Sequence, residues 1–333
     1  VISFPVRDTS HVAETRREIV SIAASLGFDE GDRGRVALIV TELATNLLKH
    51  AREGVILAGA DRYTRGPAIE LLSLDRGAGM QNVHRALEDG VSTSGTSGTG
   101  MGAIIRQAHE FDILSLPDLG TAIYVRSQAG KIPERNAAPS APYGAVSVPT
   151  PTETANGDAW AAAGDVGRRT FLVVDGLGHG VHAAEASQAA LVEFQRCSDA
   201  PLAEILANIH RALRPTRGAA VSVARTDEER DVLVFAGIGN VSGAIVNGAE
   251  LRKTVSRNGT AGHQVARIQE YEYPFNPGSH FFMYSDGLLS SWSIKPYPGL
   301  LSRHPTLIAG VLSRDFWRER DDVTVLVAER ERT

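Results

Sequence analysis

Apolar residues first recur at helical spacing between residues 10 and 26, at Val12, Ile19, Ile22, Ala23 and Leu26, and Gly27 fits a helix stop. A second stripe, Val36, Leu38, Ile39, Leu43, Leu47 and Leu48, predicts a helix over 29–51. The period then changes. Runs at 54–60 and 68–75 read as strands around a turn-rich loop at 61–67. The Gly/Ser/Thr-rich stretch 89–102 is neither strand nor helix by composition, and reads as a mobile lid. A helix over 103–110 and strands near 111–115 and 121–127 close this half.

Residues 128–142 carry Gly130, Pro133, Pro139 and Pro142 among small and polar residues, and read as a linker. Beyond it strand-like runs dominate, at 143–148, 159–163, 168–174, 218–225, 231–238, 242–246, 268–273, 280–284 and 323–329. Helical stretches are fewer, at 182–196, 202–213 and 305–312. Many strands with bunched helices predict two layered sheets flanked by helices. The chain of 333 residues therefore reads as two domains, 1–127 and 143–333, with no internal repeat.

Composition narrows the function classes. A formal net charge of -5 gives no basis for a nucleic-acid surface. Cys197 is the single cysteine, which excludes an internal disulfide and a cysteine zinc cluster and is most simply a core residue. No apolar run is long enough to span a membrane, and no basic stretch leads into an apolar one as in a signal peptide. The expectation is a cytoplasmic protein with neither nucleic-acid nor membrane partners.

Two groups of residues carry candidate chemistry. Glu42 and Asn46, four apart on a helix, face the same way. The carboxylate can serve as general base and the amide oxygen can ligate Mg²⁺. Asp75 ends a strand and can accept a hydrogen bond from an adenine amino group, while Gly77 and Gly79 let the backbone approach the ring. Gly98, Gly100 and Gly102 before a helix form an anion cradle. Singly, each has a bland reading as a solvated helix face, a turn or a linker. Their order, spacing and helix–strand–loop–helix contexts argue against the joint bland reading.

The run 41–51 (TELATNLLKHA), then 74–80 (LDRGAGM), 86–90, 98–102 and 109–113 resemble the boxes of the GHKL ATPase/kinase superfamily, most closely RsbT-type switch kinases. The resemblance covers nearly all of 1–127. It implies a Bergerat-type α/β sandwich binding ATP and Mg²⁺, with Glu42 as catalytic base, Asn46 as Mg²⁺ ligand and Asp75 as adenine reader. Lys49 and His50 would lie beside the phosphates. Substrates in that family are Ser or Thr residues of small STAS-domain antagonists.

The second group is four aspartates, Asp158, Asp175, Asp286 and Asp321, each following or ending a strand-like run, where side chains can converge at one rim. Singly they read as turn caps. Together their carboxylates suit a pair of hard divalent cations, with the Gly176 carbonyl as a further donor. The motifs Gly157-Asp158-Ala159-Trp160, 174–180 (VDGLGHG), 284–287 (YSDG) and 320–324 (RDDVT) are similar to those of SpoIIE/RsbX-type PPM phosphatases. That resemblance spans about 141–329 and implies an αββα sandwich with two Mn²⁺ or Mg²⁺. It makes Asp175 the bridging ligand, Gly176 a carbonyl donor, Asp158 a residue of the second metal site, acting directly or through water, and Asp286 and Asp321 ligands of the first. Asp322 would be a supporting residue and Trp160 a packing one. His179 reads equally as proton donor or hydrogen-bonder.

The sequence thus reads as a two-domain α+β chain, a bifunctional kinase and phosphatase of a partner-switching, stressosome-like pathway. The expected partner is a STAS-domain antagonist or scaffold, with a downstream regulator activated by the kinase-like half. Two rivals stand beside it. One is a phosphatase regulated by ATP at a non-transferring domain. The other is a non-catalytic protein that sequesters a STAS or sigma-factor partner, against which the retained acidic residues argue. A sensor histidine kinase would need a phosphoacceptor helix before the ATP domain, and none is legible.

Overall fold

The computed structural model describes residues 1–51, 53–61, 67–83, 87, 100–130, 142–165, 167–265 and 267–332. The chain divides into two units, Val1–Ala141 with Lys295–Val311, and Pro142–Ile294 with Leu312–Thr333. Both are mixed α/β. Among the described residues, no helix is long and apolar enough to cross a membrane.

The first unit is built on an antiparallel sheet of β1 (Ile2–Val6), β2 (Gly54–Asp61), β3 (Ala68–Asp75), β4 (Glu110–Leu116) and β5 (Gly120–Gln128), in the order β1-β2-β3-β5-β4. On one face lie α1 (Thr9–Ser25), α2 (Glu30–His50) and α3 (Gly100–Gln107). Asp8 caps α1 by accepting from Ser10 and His11 N–H, and Asp29 caps α2 by accepting from Asp32 N–H. The apolar stripe of α2, Val36, Ile39, Val40, Leu43 and Leu47, packs on Ile56, Ala58, Ile69, Leu71 and Val125. Two elements differ from the sequence pattern. Strand β1 is unforeseen because Pro5 lowers its strand signal, yet at a sheet edge the missing N–H is tolerated. Helix α3 begins at Gly100, three residues early, and Glu110 lies in β4.

The opposite sheet face buries Leu57, Leu72, Leu74, Ala122 and Tyr124, as strand alternation requires. Within this unit, residues 295–311 include the start of the helix Pro305–Phe316. Gly310 of that helix lies so close to Leu72 that a Cβ there would collide with it. Arg303 Nη1 and the His304 backbone N–H donate to the two oxygens of Asp112, at 3.1 and 2.6 Å. The His304 ring stacks on Tyr124, centroids 3.9 Å apart and planes 9° from parallel. Its Nδ1 accepts from Thr306 N–H at 3.2 Å, and Nε2 is 3.9 Å from Glu110.

Burial, and then the Arg126 guanidinium, lower the His304 imidazole to about 4. The folded state therefore binds fewer protons than the unfolded state between the unfolded value near 6.5 and about 4, and stability is lost as pH falls through that window. The expected loss is on the order of 3 kcal/mol. Thermal unfolding followed from pH 7 to pH 4 should show a steeper decline for the wild type than for His304→Gln. Parallel declines would remove His304 as the cause.

The second unit stacks two antiparallel sheets. One holds β7 (Asp158–Asp165), β8 (Arg168–Gly176), β9 (Ala219–Asp227), β10 (Val232–Ile238) and β13 (Tyr271–Pro274), in the order β13-β10-β9-β8-β7. The other holds β6 (Tyr143–Val148), β11 (Ser242–Asn247), β12 (Glu250–Lys253), β14 (His280–Tyr284) and β15 (Val323–Glu329), in the order β12-β11-β14-β15-β6. Strand β8 shows the logic. Phe171 and Val173 point between the sheets, against Phe235, Phe281, Met283 and Leu326. Leu172 and Val174 point outward, under α4 (Val181–Cys197) and α5 (Leu202–Ala212). Burial on both faces explains its continuous apolar run. Trp160 and Cys197 are partly buried against these cores. The helix Pro305–Phe316, α6, ends in this unit from Leu312 onward.

Candidate functional sites

In the first unit, helix α2 and the start of α3 bring Glu42, Asn46 and Gly100 together. A Cβ built on Gly100 would lie 2.9 Å from Glu42 Oε2 and 4.0 Å from Asn46 Oδ1. Both side chains are half-buried and lie off the apolar stripe of α2, facing the helix start where backbone N–H groups attract anions. Gly102 is buried within α3. Gly98 and the remainder of the expected lid, 89–99, lie outside the described residues.

Asp75 closes β3. Its Oδ1 accepts the N–H of Gly77 at 2.6 Å and of Thr121 at 3.3 Å. Gly77 lies against the His50 carbonyl, where a Cβ would not fit, so this turn meets the end of α2. Lys49 and His50 are exposed in the last turn of α2, and it is the His50 carbonyl that meets Gly77. Gly79 sits against the Leu116 carbonyl, and Met80 N–H donates to Ser115 Oγ, itself 2.8 Å from Thr121 Oγ1. Ser115 and Thr121 anchor the turn. Sequence reasoning passed over both, since single polar residues in a strand run carry no distinctive signal.

In the second unit the aspartates meet because their strands run antiparallel. Asp158 opens β7, Asp175 nearly closes β8, and the two are register partners. Asp286 follows β14 and Asp321 precedes β15, which pair at Tyr284↔Val325. Ser285 joins the sheets. Its Oγ donates to Asp158 Oδ2 at 2.6 Å and accepts Thr324 N–H at 2.9 Å. This fully buried serine was legible only as the residue beside Asp286. Asp322 accepts the N–H of Thr150 at 2.7 Å and of Gly157 at 2.6 Å, fastening the turn that carries Asp158. Gly176 lies against the Ala183 carbonyl, closer than a side chain would allow. His179 Nδ1 is 2.8 Å from Glu153 Oε1.

The electrostatics are those of crowded, desolvated carboxylates. Burial, and then Asp158, Asp286 and Asp321, push Asp175 up to about 9. Burial pushes Asp158 up to about 7 against the opposing Ser285 hydrogen bond, and also raises Asp321. Among the described residues no three acidic or imidazole groups form a closed ligand cage. Asp158 is held by the Ser285 hydroxyl, and Asp286 by the Asn240 amide at 2.7 Å. The donor set, oxygen-only and mutually repelling, fits hard divalent cations. Asp158, Asp175, Asp286 and Asp321, with the Gly176 carbonyl, would hold them.

Comparison with known proteins decides the family. The family model of Stage II sporulation protein E (SpoIIE) matches residues 165–331, half of the chain. The chain belongs to the SpoIIE family. Ahead of that SpoIIE region, the model of the histidine kinase-like ATPase domain matches residues 4–126. Over 105 residues the chain is 34% identical to the serine/threonine-protein kinase RsbT of Bacillus subtilis (strain 168), covering 31% of this chain and 77% of RsbT. Among solved structures it is similar to one described as "The bacterial stressosome: a modular system that has been adapted to control secondary messenger signaling", with TM-score 0.53 and 26% identity over 56% of this chain and 98% of that one. It is also similar to the PP2C phosphatase domain and regulatory fragment of SpoIIE from Bacillus subtilis, with TM-score 0.48 and 14% identity over 97% and 95% of the two chains. This SpoIIE-family chain thus carries an RsbT-like kinase domain ahead of its phosphatase domain.

Proposed function

We propose that this chain adds phosphate to, and removes it from, Ser or Thr residues of a STAS-domain antagonist or scaffold in a partner-switching pathway. One observation carries the reading. The same polypeptide keeps a carboxylate and amide facing a helix start, Glu42 and Asn46, and a rim of strand-end aspartates in which Asp158 is buried and Asp175 lies opposite it. The likeness to RsbT and to a stressosome protein supports the pathway class.

In transfer, Glu42 accepts the proton of the attacking hydroxyl as its oxygen bonds to the γ-phosphorus and ADP leaves. Asp75 and the Gly77 turn would bind the adenine end, and Asn46 would hold Mg²⁺. In removal, water displaces the protein oxygen from phosphorus, and that oxygen takes up a proton. Two Mn²⁺ or Mg²⁺ ions would supply charge neutralisation and an acidified water to that step. Ser285 holds the Asp158 carboxylate, and Asp322 fastens the turn that carries it.

The test uses the full chain and a purified STAS protein. With Mg²⁺ and γ-labelled ATP, label should appear on a Ser or Thr of the STAS protein. It should leave as inorganic phosphate when Mn²⁺ is added and ATP removed. Tight ATP binding with no transfer to any STAS protein would replace this reading with that of an ATP-regulated phosphatase.

A further inference from the structure

Beside Asp286 the second unit holds a cavity of about 130 Å³ whose lining includes Asn240, Ser242, Lys253, Asp286, Ser290 and Arg318. Lys253 and Arg318 both line it, and backbone hydrogen bonds fix where each side chain starts. Arg318 N–H donates to Gly287 O at 2.9 Å and Leu289 N–H to Phe316 O at 2.8 Å, a short bridge that pairs Leu288 with Trp317. Arg318 is thereby held against the turn that carries Asp286. Lys253 ends β12 opposite Ala244, and the next residue, Thr254, donates to Gly243 O at 2.9 Å. Asn240, hydrogen-bonded to Asp286, links the cavity to the aspartate rim.

Neither cation has a carboxylate partner within 4.0 Å among the described residues, whereas nearby Arg252 pairs with Glu250, and Arg230 with Glu272. A surface lysine or arginine alone means little. Two cations without an ion-pair partner, sharing one cavity with hydroxyl and amide groups and with an Asp286 carboxylate already taken up by the Asn240 amide, are a different matter in a chain of formal charge -5. The divalent cations that the aspartates would hold offset the charge of the rim and of the phosphate, which leaves a flanking acidic residue to be met by groups beside the rim. Lys253 and Arg318 place the opposite sign on one side of that rim, within reach of a neighbouring residue at about 3.3–3.6 Å per extended position.

We propose that the cavity between Lys253 and Arg318 is a substrate subsite that selects phosphoproteins carrying an Asp or Glu close to the phosphorylated Ser or Thr. The inference rests on the phosphatase reading above. It adds what that reading leaves open, namely which flanking chemistry the site prefers.

The test compares phosphopeptides that differ in one flanking position, Glu against Gln, with p-nitrophenyl phosphate as a substrate without flanks. The full chain with Mn²⁺ should favour the Glu peptide roughly three- to tenfold in kcat/KM, the range of one or two exposed ion pairs. Lys253→Gln and Arg318→Gln should lose that preference through KM, with kcat and p-nitrophenyl phosphate turnover unchanged. Lys253→Glu should shift preference toward a Lys flank. No preference in the wild type would overturn the proposal, as would an equal loss on peptides and p-nitrophenyl phosphate. Preference for a second phosphate but not for Glu would overturn the acidic-residue assignment. If the wild type hydrolyses nothing, the phosphatase reading fails. The binding anisotropy of the labelled Glu and Gln peptides then decides the subsite, with equal affinity overturning it.

Discussion

Asp175→Asn should abolish metal-dependent dephosphorylation and leave ATP binding untouched. Asp175 faces Asp158 across the β7–β8 register and feels Asp286 and Asp321 as well, so it sits where two cations would share a ligand. An amide keeps the shape but removes the charge that recruits them. The expected fall in turnover is at least roughly 10²–10³-fold, the scale of losing one group that stabilises transition-state charge. A second readout separates this from misfolding. Without metal the substitution relieves a buried, repelled carboxylate, so thermal stability in a chelator should hold or rise. The stabilisation that Mn²⁺ gives the wild type should vanish. Near-normal Mn²⁺-dependent turnover in the variant would discard the metal assignment.

Glu42→Gln should retain ATP and lose transfer. The side chain points at the start of α3 beside Asn46, and Gln preserves its size and hydrogen bonding there. An amide cannot take the proton of an attacking hydroxyl, so transfer to a STAS protein should fall by roughly 10²–10⁴-fold. Asp75→Asn behaves differently. It alters the acceptor that fixes Gly77 and Thr121, and should weaken nucleotide binding itself. Measuring nucleotide affinity and phosphate transfer on both variants tells them apart. Transfer at wild-type rates by Glu42→Gln would remove Glu42 as the base.

Much of this was legible in the sequence because it depends on local period. The stripe of α2 that buries Val36, Ile39, Leu43 and Leu47 necessarily leaves Glu42 and Asn46 together on another side. The aspartates were legible because each abuts an apolar run, and strand ends meet at rims. What escaped depends on partners distant in the chain. Strand β12 has four exposed residues and no apolar period, so pairing with β11 alone defines it. The run at 268–273 paired only from Tyr271. Ser285 and Asn240 matter through bonds to Asp158 and Asp286 that no spacing announces. Residues 305–312 read as an apolar helix, but a periodic stripe does not say which sheet receives it. Gly310 against Leu72 answers that, across more than two hundred positions of chain.

The grouping of Lys295–Val311 with the first unit also bears on the order of synthesis. On the ribosome, β5 emerges long before residue 311 does. At about 5–20 residues per second, the interval is on the order of 10–40 s. Through that time the sheet face bearing Leu72, Leu74 and Tyr124 has lost none of its apolar character and lacks its native cover. The nascent kinase-like half therefore passes through a stage in which it can stick to other chains, and a chaperone holding it would be displaced only once residues 295–311 have been made.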